Sequence, residues 1–185
     1  EDLWTITPPS SELCISGTQM LFNLSASNEY LTKSEYRRDL VKMQSSRCIS
    51  VYALSTCGPN ESTTDTVFSG HSIIAENGII LNETERFEFD TQIAYADIDI
   101  EKLNNERYKN NSFGGSFPSK KYRNAWFTLE DISDKKILRE IPKLPFVPHD
   151  INKRTKVCEE IYQIQTTGLI KRIKHIACTS LVFGI

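Results

Sequence analysis

The sequence has no apolar stretch long enough to cross a membrane, and it lacks a strong charge of either sign. None of its apolar runs approaches the roughly 20 residues that a bilayer-spanning helix needs. Its 22 basic and 24 acidic residues are interspersed and leave a formal net charge of -2. A chain of this kind has no basic surface to attract nucleic acid or an anionic membrane. We therefore expect neither as a partner, and expect the chain to act on small molecules or other proteins.

The sequence also lacks the paired cysteine spacing of a metal site or a disulfide framework. Its five cysteines are widely separated and include no Cys-x-x-Cys pair. They are Cys14, Cys48, Cys57, Cys158 and Cys178. This pattern fits a reducing, cytoplasmic setting. Each cysteine falls within a predicted helix or strand, so we expect buried and unreactive thiols.

Several catalytic signatures are missing as well. His71 has no Gly-x-Ser-x-Gly elbow to accompany it, so a Ser-His-Asp triad is not predicted. The glycines of "NGIIL" and "SFGGSF" lack the spacing of a phosphate-binding loop. Asp97 and Asp99 alternate along an extended segment and could bind a metal, but acidic residues entering a helix N-terminus need no ion. We predict no metal site.

The first part of the sequence predicts an alternation of helices and strands. A short helix follows Pro8 and Pro9 and ends near Gly17, and an apolar strand then covers about 19–24. The next segment, "SEYRRDLVKMQSSRC", predicts a helix whose apolar face carries Tyr36, Leu40 and Met43. A second strand, "VYALST", follows. This order favours an α/β layered core, with ligands at the carboxyl ends of the strands.

From Thr66 onward, apolar and polar residues alternate at every second position, which is the period of a β-strand. Asn77-Gly78 lies between apolar runs and predicts a tight β-hairpin. Residues 87–99 continue in an extended style, and 100–111 predict a polar helix. The glycines and prolines between about 110 and 150 break regular structure. Beyond them, apolar residues at helical spacing predict a helix up to about residue 176, and "SLVFGI" predicts a strand.

Six blocks in this order resemble one family of enzymes. They are "EDLW…PPSS", "NLSASNE", "YRRDLVKMQSSRC", "GPNESTTDTVFSGHSIIAENGIIL", "FVP" and "CEEIYQIQTTGLIKRI". Together they resemble the glutamine-dependent NAD+ synthetases, whose glutaminase domain belongs to the nitrilase superfamily. The resemblance implies an α/β fold: residues 1–109 as the C-terminal half of a nitrilase-type α-β-β-α sandwich, 110–154 as a connector, and 155–185 as the first helix and strand of an ATP-binding synthetase domain.

The resemblance also implies a reaction. In this family a cysteine thiolate attacks the glutamine side-chain amide, a glutamate acts as acid and base, and a lysine stabilises the oxyanion. The ammonia released then amidates nicotinic acid adenine dinucleotide in an ATP-dependent step, for which ATP and Mg2+ are expected. The family's cysteine immediately precedes the stretch that begins at Glu1, and its ATP loop follows "VFGI". We therefore expect a piece of a homo-oligomeric ligase, with no catalytic residue of its own.

The resemblance places one wall of the glutamine pocket in this chain. It assigns substrate binding to Glu1, a carboxylate suited to an α-ammonium group, to the Ser27 hydroxyl, and to Lys33, a cation that can meet an α-carboxylate. From sequence alone each has another interpretation. Glu1 could be a solvated charge, Ser27 a helix N-cap or turn residue, and Lys33 a surface lysine.

The sequence is also compatible with two other functions. The chain could be a non-catalytic structural piece that associates with a complementary segment. It could instead belong to a stand-alone nitrilase-superfamily amidase, although such an enzyme would not need the "CEEIYQIQTTGL" block after the connector.

Overall fold

The computed structural model describes residues 2–61, 65–118, 120–129, 136–148, 150–177, 179–182 and 184. It divides into two compact units, residues 1–139 and residues 140–185. Among the described residues, the first unit holds the four strands of a single sheet and the helices beside them. The second unit is built on one long helix.

The sheet of the first unit has the order β1-β2-β3-β4. Strands β1 (Met20–Ser25) and β2 (Val51–Thr56) are parallel, and Met20 pairs with Val51. A parallel pair needs a long crossover, and helix α2 (Lys33–Arg47) supplies it. Helix α1 (Pro9–Ile15) precedes the first strand. The predicted alternation of helix and strand, and the α/β class, are confirmed.

The predicted hairpin is also confirmed. Strands β3 (Ile73–Glu76) and β4 (Ile79–Glu83) are antiparallel and joined by Asn77-Gly78. The turn residues have φ angles of 44° and 84°, the positive values that a type I′ turn requires at both positions. The Gly78 amide donates to Ser45 Oγ at 2.8 Å, so the tip of the hairpin lies against α2.

The buried face of α2 differs from the prediction. Tyr36 and Met43 are 53% and 58% exposed, whereas Arg37, Val41 and Gln44 are buried. The prediction was wrong for Tyr36 and Met43, although Leu40 packs against the core, because it treated buried positions as apolar. Two of the three buried side chains are polar, and their partners lie in other segments, which helical periodicity cannot detect.

The main core lies between the sheet and the first two helices. Its members are Leu3, Cys14, Leu21, Val41, Cys48, Tyr52, Leu54, Ile73 and Ala75. A second, smaller cluster contains Ile49, Val51 and Leu103, and Leu103 comes from helix α3 (Ile100–Lys109). Both clusters draw on β2, so this strand is covered on its two faces.

Asp99 caps α3. Its side chain accepts a hydrogen bond from the Lys102 amide at 2.8 Å, as expected of an acidic residue that enters a helix N-terminus. Residues 91–99 before it, predicted as extended, belong to no strand or helix. Asp97 accepts hydrogen bonds from the amides of Leu138 and Arg139, which ties a distant part of the chain to this segment.

The described residues between 110 and 150 hold little regular structure, as predicted. Helix α4 (Asn111–Gly114) is short, and no further helix or strand occurs in the described positions up to Asp150. Arg139 nevertheless makes two hydrogen bonds of 2.7 Å to the carboxylate of Glu76.

The second unit contains helix α5 (Ile151–His175), 25 residues long and capped by the Asp150 side chain. This confirms the predicted helix, which begins a few residues earlier than expected. The strand predicted for "SLVFGI" is not found at 179–182 or 184, and residues 183 and 185 lie outside the described part. None of the helices in the described ranges is both long and apolar enough to span a membrane.

Candidate functional site

Polar and charged residues meet where the parallel strands end. The segment after β1 contributes Ser27, Asn28 and Glu29, and the first turn of α2 contributes Lys33. The carboxyl ends of parallel strands share one edge of a sheet, the usual place for ligands in α/β proteins.

The centre of this cluster is a buried ion pair. Arg37 Nη2 lies 2.5 Å from Glu29 Oε1, and the two side chains are 1% and 5% exposed. Burial raises the pKa of the Glu29 carboxyl, but hydrogen bonds from Ser69 and Arg37 and the charges of Arg37 and Arg86 outweigh it and leave the pKa below its ordinary value. The pair therefore stays charged.

Arg37 joins this pair to the strand-end segment. Its Nη2 donates to Ser27 Oγ at 3.4 Å and to the carbonyl of Asn28 at 3.5 Å. Its Nη1 lies 3.1 Å from His71 Nδ1. One guanidinium group thus joins two other segments of the chain, residues 27–29 and His71, which a planar fork of five donors can do and a lysine cannot.

The contact with Arg37 fixes the tautomer of His71. A guanidinium only donates, so Nδ1 of the imidazole must accept and the proton lies on Nε2. Nε2 is 3.2 Å from Glu83 Oε2, to which it donates. Burial and the Arg37 charge lower the pKa of His71, although Glu83 opposes them. His71 is therefore a neutral link between Arg37 and Glu83, consistent with the prediction that it is not part of a triad.

A second arginine completes the ring around Glu29. Arg86 Nη2 lies 3.4 Å from Glu29 Oε2, and its Nη1 donates to Ser34 Oγ at 3.0 Å. Ser69 Oγ donates to Glu29 Oε1 at 2.7 Å. The Nε atoms of Arg37 and Arg86 are buried and have no hydrogen-bond partner in the described structure. Each of the two guanidinium groups therefore has one N–H group that none of the described residues accepts.

Lys33 is not a solvated surface residue. It is 7% exposed, and its Nζ donates to Asn28 Oδ1 at 2.6 Å. The same ammonium lies 4.8 Å and 4.9 Å from the ring centroids of Trp4 and Tyr30, within range of cation–π attraction. Desolvation and the Arg37 charge lower its pKa, and Glu29 raises it. The residue before it, Thr32, has φ 70°, a strained conformation for a β-branched residue.

Ser27 is also buried, and it does not cap a helix. The N-cap of α2 is Thr32, and the Ser27 hydroxyl instead accepts from Arg37. The structure thus brings Ser27 and Lys33 together through Asn28 and Arg37. Glu1, the third predicted site residue, lies outside the described residues.

Sequence reasoning missed the residues that hold this cluster together. Glu29, Arg86 and Glu83 carry no local sequence signal, and the predicted apolar face of α2 does not include Arg37. Their partners are 8 to 57 positions away along the chain, so no local spacing reveals them. The one available signal was an arginine one helical turn after Lys33.

The cysteines form no part of this cluster. Cys14 and Cys48 are buried in the main core, as expected. The hydrogen bond from Cys48, helped by Ser50 and Arg107 and opposed by burial, lowers the pKa of Cys14 to about 7, and the same contact raises that of Cys48. Cys57 is half-buried and Cys158 is exposed, so the expectation of burial was wrong for both. Cys178 lies outside the described residues.

The fold and the charge-paired strand-end cluster define an α/β protein with a polar, charged edge where its parallel strands end. No family model matches the chain. The chain is 35% identical, over 191 aligned positions that cover 100% of it and 28% of the relative, to "Glutamine-dependent NAD(+) synthetase" of Mycobacterium leprae. It belongs to the glutamine-dependent NAD(+) synthetase family.

More distant relatives carry the same name. The human protein of that name is 29% identical over 111 residues, which cover 58% of this chain and 15% of the human protein. A crystal structure of a glutamine-dependent NAD(+) synthetase from Cytophaga hutchinsonii is 28% identical and covers 42% of this chain and 13% of that one, with a TM-score of 0.40. The chain spans under a third of the length of the curated relatives that it matches.

Proposed function

We propose that this chain is part of an enzyme that hydrolyses glutamine and uses the ammonia for ATP-dependent amidation of nicotinic acid adenine dinucleotide to NAD+. The observation that carries the proposal is the buried Lys33 ammonium, held by Asn28 beside Ser27 at the strand ends. A desolvated cation next to a hydroxyl suits the carboxylate of an amino acid. The similarity to synthetases over the whole chain supports glutamine as that amino acid.

Three residues of the chain bind glutamine in this proposal. Lys33 meets the α-carboxylate with the donors that Asn28 leaves free, since an ammonium has three and Asn28 accepts one. Ser27 donates its hydroxyl proton to the substrate, because its oxygen already accepts from Arg37. Glu1 receives the α-ammonium group. In this proposal none of the residues of this chain is assigned as the nucleophilic cysteine, the catalytic glutamate or the oxyanion lysine.

The proposed architecture follows the resemblance. Residues 1–109 form the C-terminal part of a nitrilase-type α-β-β-α sandwich, 110–154 the connector, and 155–185 the start of the synthetase domain. The exposed apolar side chains of β1, Phe22 and Leu24, support this, because a further layer of a sandwich would cover them. The exposed Tyr36 and Met43 of α2 provide an apolar contact for a cytoplasmic homo-oligomer.

ATP and Mg2+ belong to the second reaction in this proposal. Within the described ranges, no three His, Cys, Asp or Glu side chains are grouped so that they could hold a metal ion. The nucleotide and its metal are bound by other segments in this proposal, and the binding residues assigned to this chain serve the glutamine half-reaction.

The test is a pair of lysine variants in the full-length enzyme. Lys33→Met removes a charged hydrogen-bond donor, worth about 1.5–3 kcal/mol, so we expect the KM for glutamine to rise roughly 10- to 100-fold. Synthesis of NAD+ from added ammonia should be unchanged, because ammonia bypasses glutamine. Lys42→Met is the matched control, since Lys42 is exposed on the same helix. An unchanged KM in Lys33→Met, or equal loss with ammonia, would refute the proposed site.

A further inference from the structure

The role of Arg37 extends beyond a buried ion pair, and the inference rests on the glutamine site proposed above. Arg37 is fully buried and follows Lys33 by one helical turn on α2. Its charge is neutralised by Glu29 at 2.5 Å, so it is not itself the cation that meets a substrate carboxylate. Two of its other hydrogen bonds, to Ser27 and to the Asn28 carbonyl, reach the segment that carries the proposed ligand groups.

These hydrogen bonds set the direction of the Ser27 hydroxyl. A hydroxyl group has one proton to donate and two lone pairs to accept with. Because Arg37 can only donate, Ser27 must accept from it, at 3.4 Å. The proton of Ser27 is thereby left for an acceptor such as a carboxylate or amide oxygen of the substrate.

The same guanidinium also acts on Lys33 through Asn28. Arg37 Nη2 holds the Asn28 main-chain carbonyl, and the Asn28 side chain accepts from Lys33 Nζ at 2.6 Å. The Arg37 charge disfavours protonation of Lys33, whereas Glu29 favours it. Glu29 and Asn28 therefore keep the ammonium in place beside a second buried cation.

His71 fixes Arg37 from the opposite side. The imidazole accepts from Arg37 Nη1 and donates to Glu83, and Arg38 binds Glu83 in turn. The guanidinium is thus held by groups on both sides, and its plane cannot rotate without breaking one of these hydrogen bonds.

We propose that Arg37 is a positioning residue for glutamine: braced by Glu29 and His71, it orients the Ser27 hydroxyl as a donor and places Asn28 to hold the Lys33 ammonium. It does not touch the substrate. A lysine at this position would keep the ion pair with Glu29 but could not reach Ser27 and His71 together.

The experiment compares Arg37→Lys, Ser27→Ala and the double variant in the full-length enzyme. We expect Arg37→Lys to retain the wild-type melting temperature within a few degrees and kcat within about twofold, while the KM for glutamine rises about tenfold, which is near 1.4 kcal/mol. Because Arg37 acts partly through Ser27, the rise in KM of the double variant should be smaller than the product of the two single-variant rises. Arg47→Met, at an exposed position of the same helix, should leave all three values unchanged.

Three results would overturn this role. An unchanged glutamine KM in Arg37→Lys, fully additive effects in the double variant, or equal losses of the glutamine- and ammonia-dependent rates would each contradict it. Equal losses would mark Arg37 as purely structural. If the wild-type enzyme shows no dependence on glutamine at all, the proposed function itself fails, and that result is distinct from all three.

Discussion

The ion pair between Arg139 and Glu76 gives the sharpest prediction about stability. Glu76 ends β3 and its side chain is 3% exposed, whereas that of Arg139 is 23% exposed. Two hydrogen bonds of 2.7 Å join the guanidinium to both carboxylate oxygens. The amide of Asp99 adds a third, at 3.1 Å. Arg139→Met removes the two charged bonds and leaves a carboxylate buried.

The expected loss of stability in Arg139→Met depends on the contacts that Glu76 retains. Removal of one partner from a buried pair costs about 3–5 kcal/mol, because the other charge is left uncompensated. Arg139 is partly exposed and the Asp99 amide is retained, so we expect the lower end, about 3 kcal/mol. Glu76→Gln combined with Arg139→Met should cost less than the sum of the single changes, by about 1–3 kcal/mol.

The pair also predicts a dependence on pH. Burial raises the pKa of Glu76, but Arg139 and the Asp99 amide outweigh it, and the pKa lies below the ordinary 4.5. A carboxyl of this kind stabilises the fold above pH 4.5 and loses that contribution as the pH falls through its folded pKa. The difference in the free energy of unfolding between wild type and Arg139→Met should therefore shrink as the pH is lowered.

The assay is urea unfolding of the full-length protein followed by circular dichroism, at neutral pH and at pH values below 4.5. Arg123→Met is the matched control, because Arg123 is exposed and should cost under about 0.5 kcal/mol. A loss in Arg139→Met no larger than in this control would refute the reasoning. So would a gap that widens as the pH falls.

Three further predictions concern the hairpin, the site and the second core cluster. Gly78→Ala should destabilise by about 1–3 kcal/mol in thermal unfolding, because φ is +84° and a Cβ would lie 3.0 Å from Ser46 Cβ. His71 should titrate below 6.5 by NMR, so its contribution to stability is full above pH 6.5 and falls as the pH drops below that. Leu103→Ala should cost about 2–5 kcal/mol, because Leu103 is 1% exposed in its cluster, and a loss below 1 kcal/mol would contradict this.

The parts of the fold that the sequence predicted are those with a local cause. Asn77-Gly78 marks the hairpin because few other pairs accept two positive φ angles. Helix α5 was visible in the spacing of its apolar residues, and the cap at Asp99 in an acidic residue at a helix start. Each of these depends on residues within a few positions of one another.

The parts that it missed depend on residues far apart. The buried face of α2 carries Arg37 and Gln44 because Glu29, His71 and Ser10 reach them from other segments. Burial of an arginine is favourable only once its partners are in place. The resemblance located Ser27 and Lys33, but nothing in the sequence showed that an arginine links them.

The way the strands are connected has a consequence for the order in which the protein folds. The β3–β4 hairpin closes a two-residue loop and can form early, whereas β1 and β2 pair only after α2 has crossed between them. The ring of Glu29, Arg37, His71 and Arg86 draws on all of these pieces. We therefore expect it to close last, in the final step of folding, so that a nascent chain acquires the proposed glutamine site only when the rest of the sheet is complete.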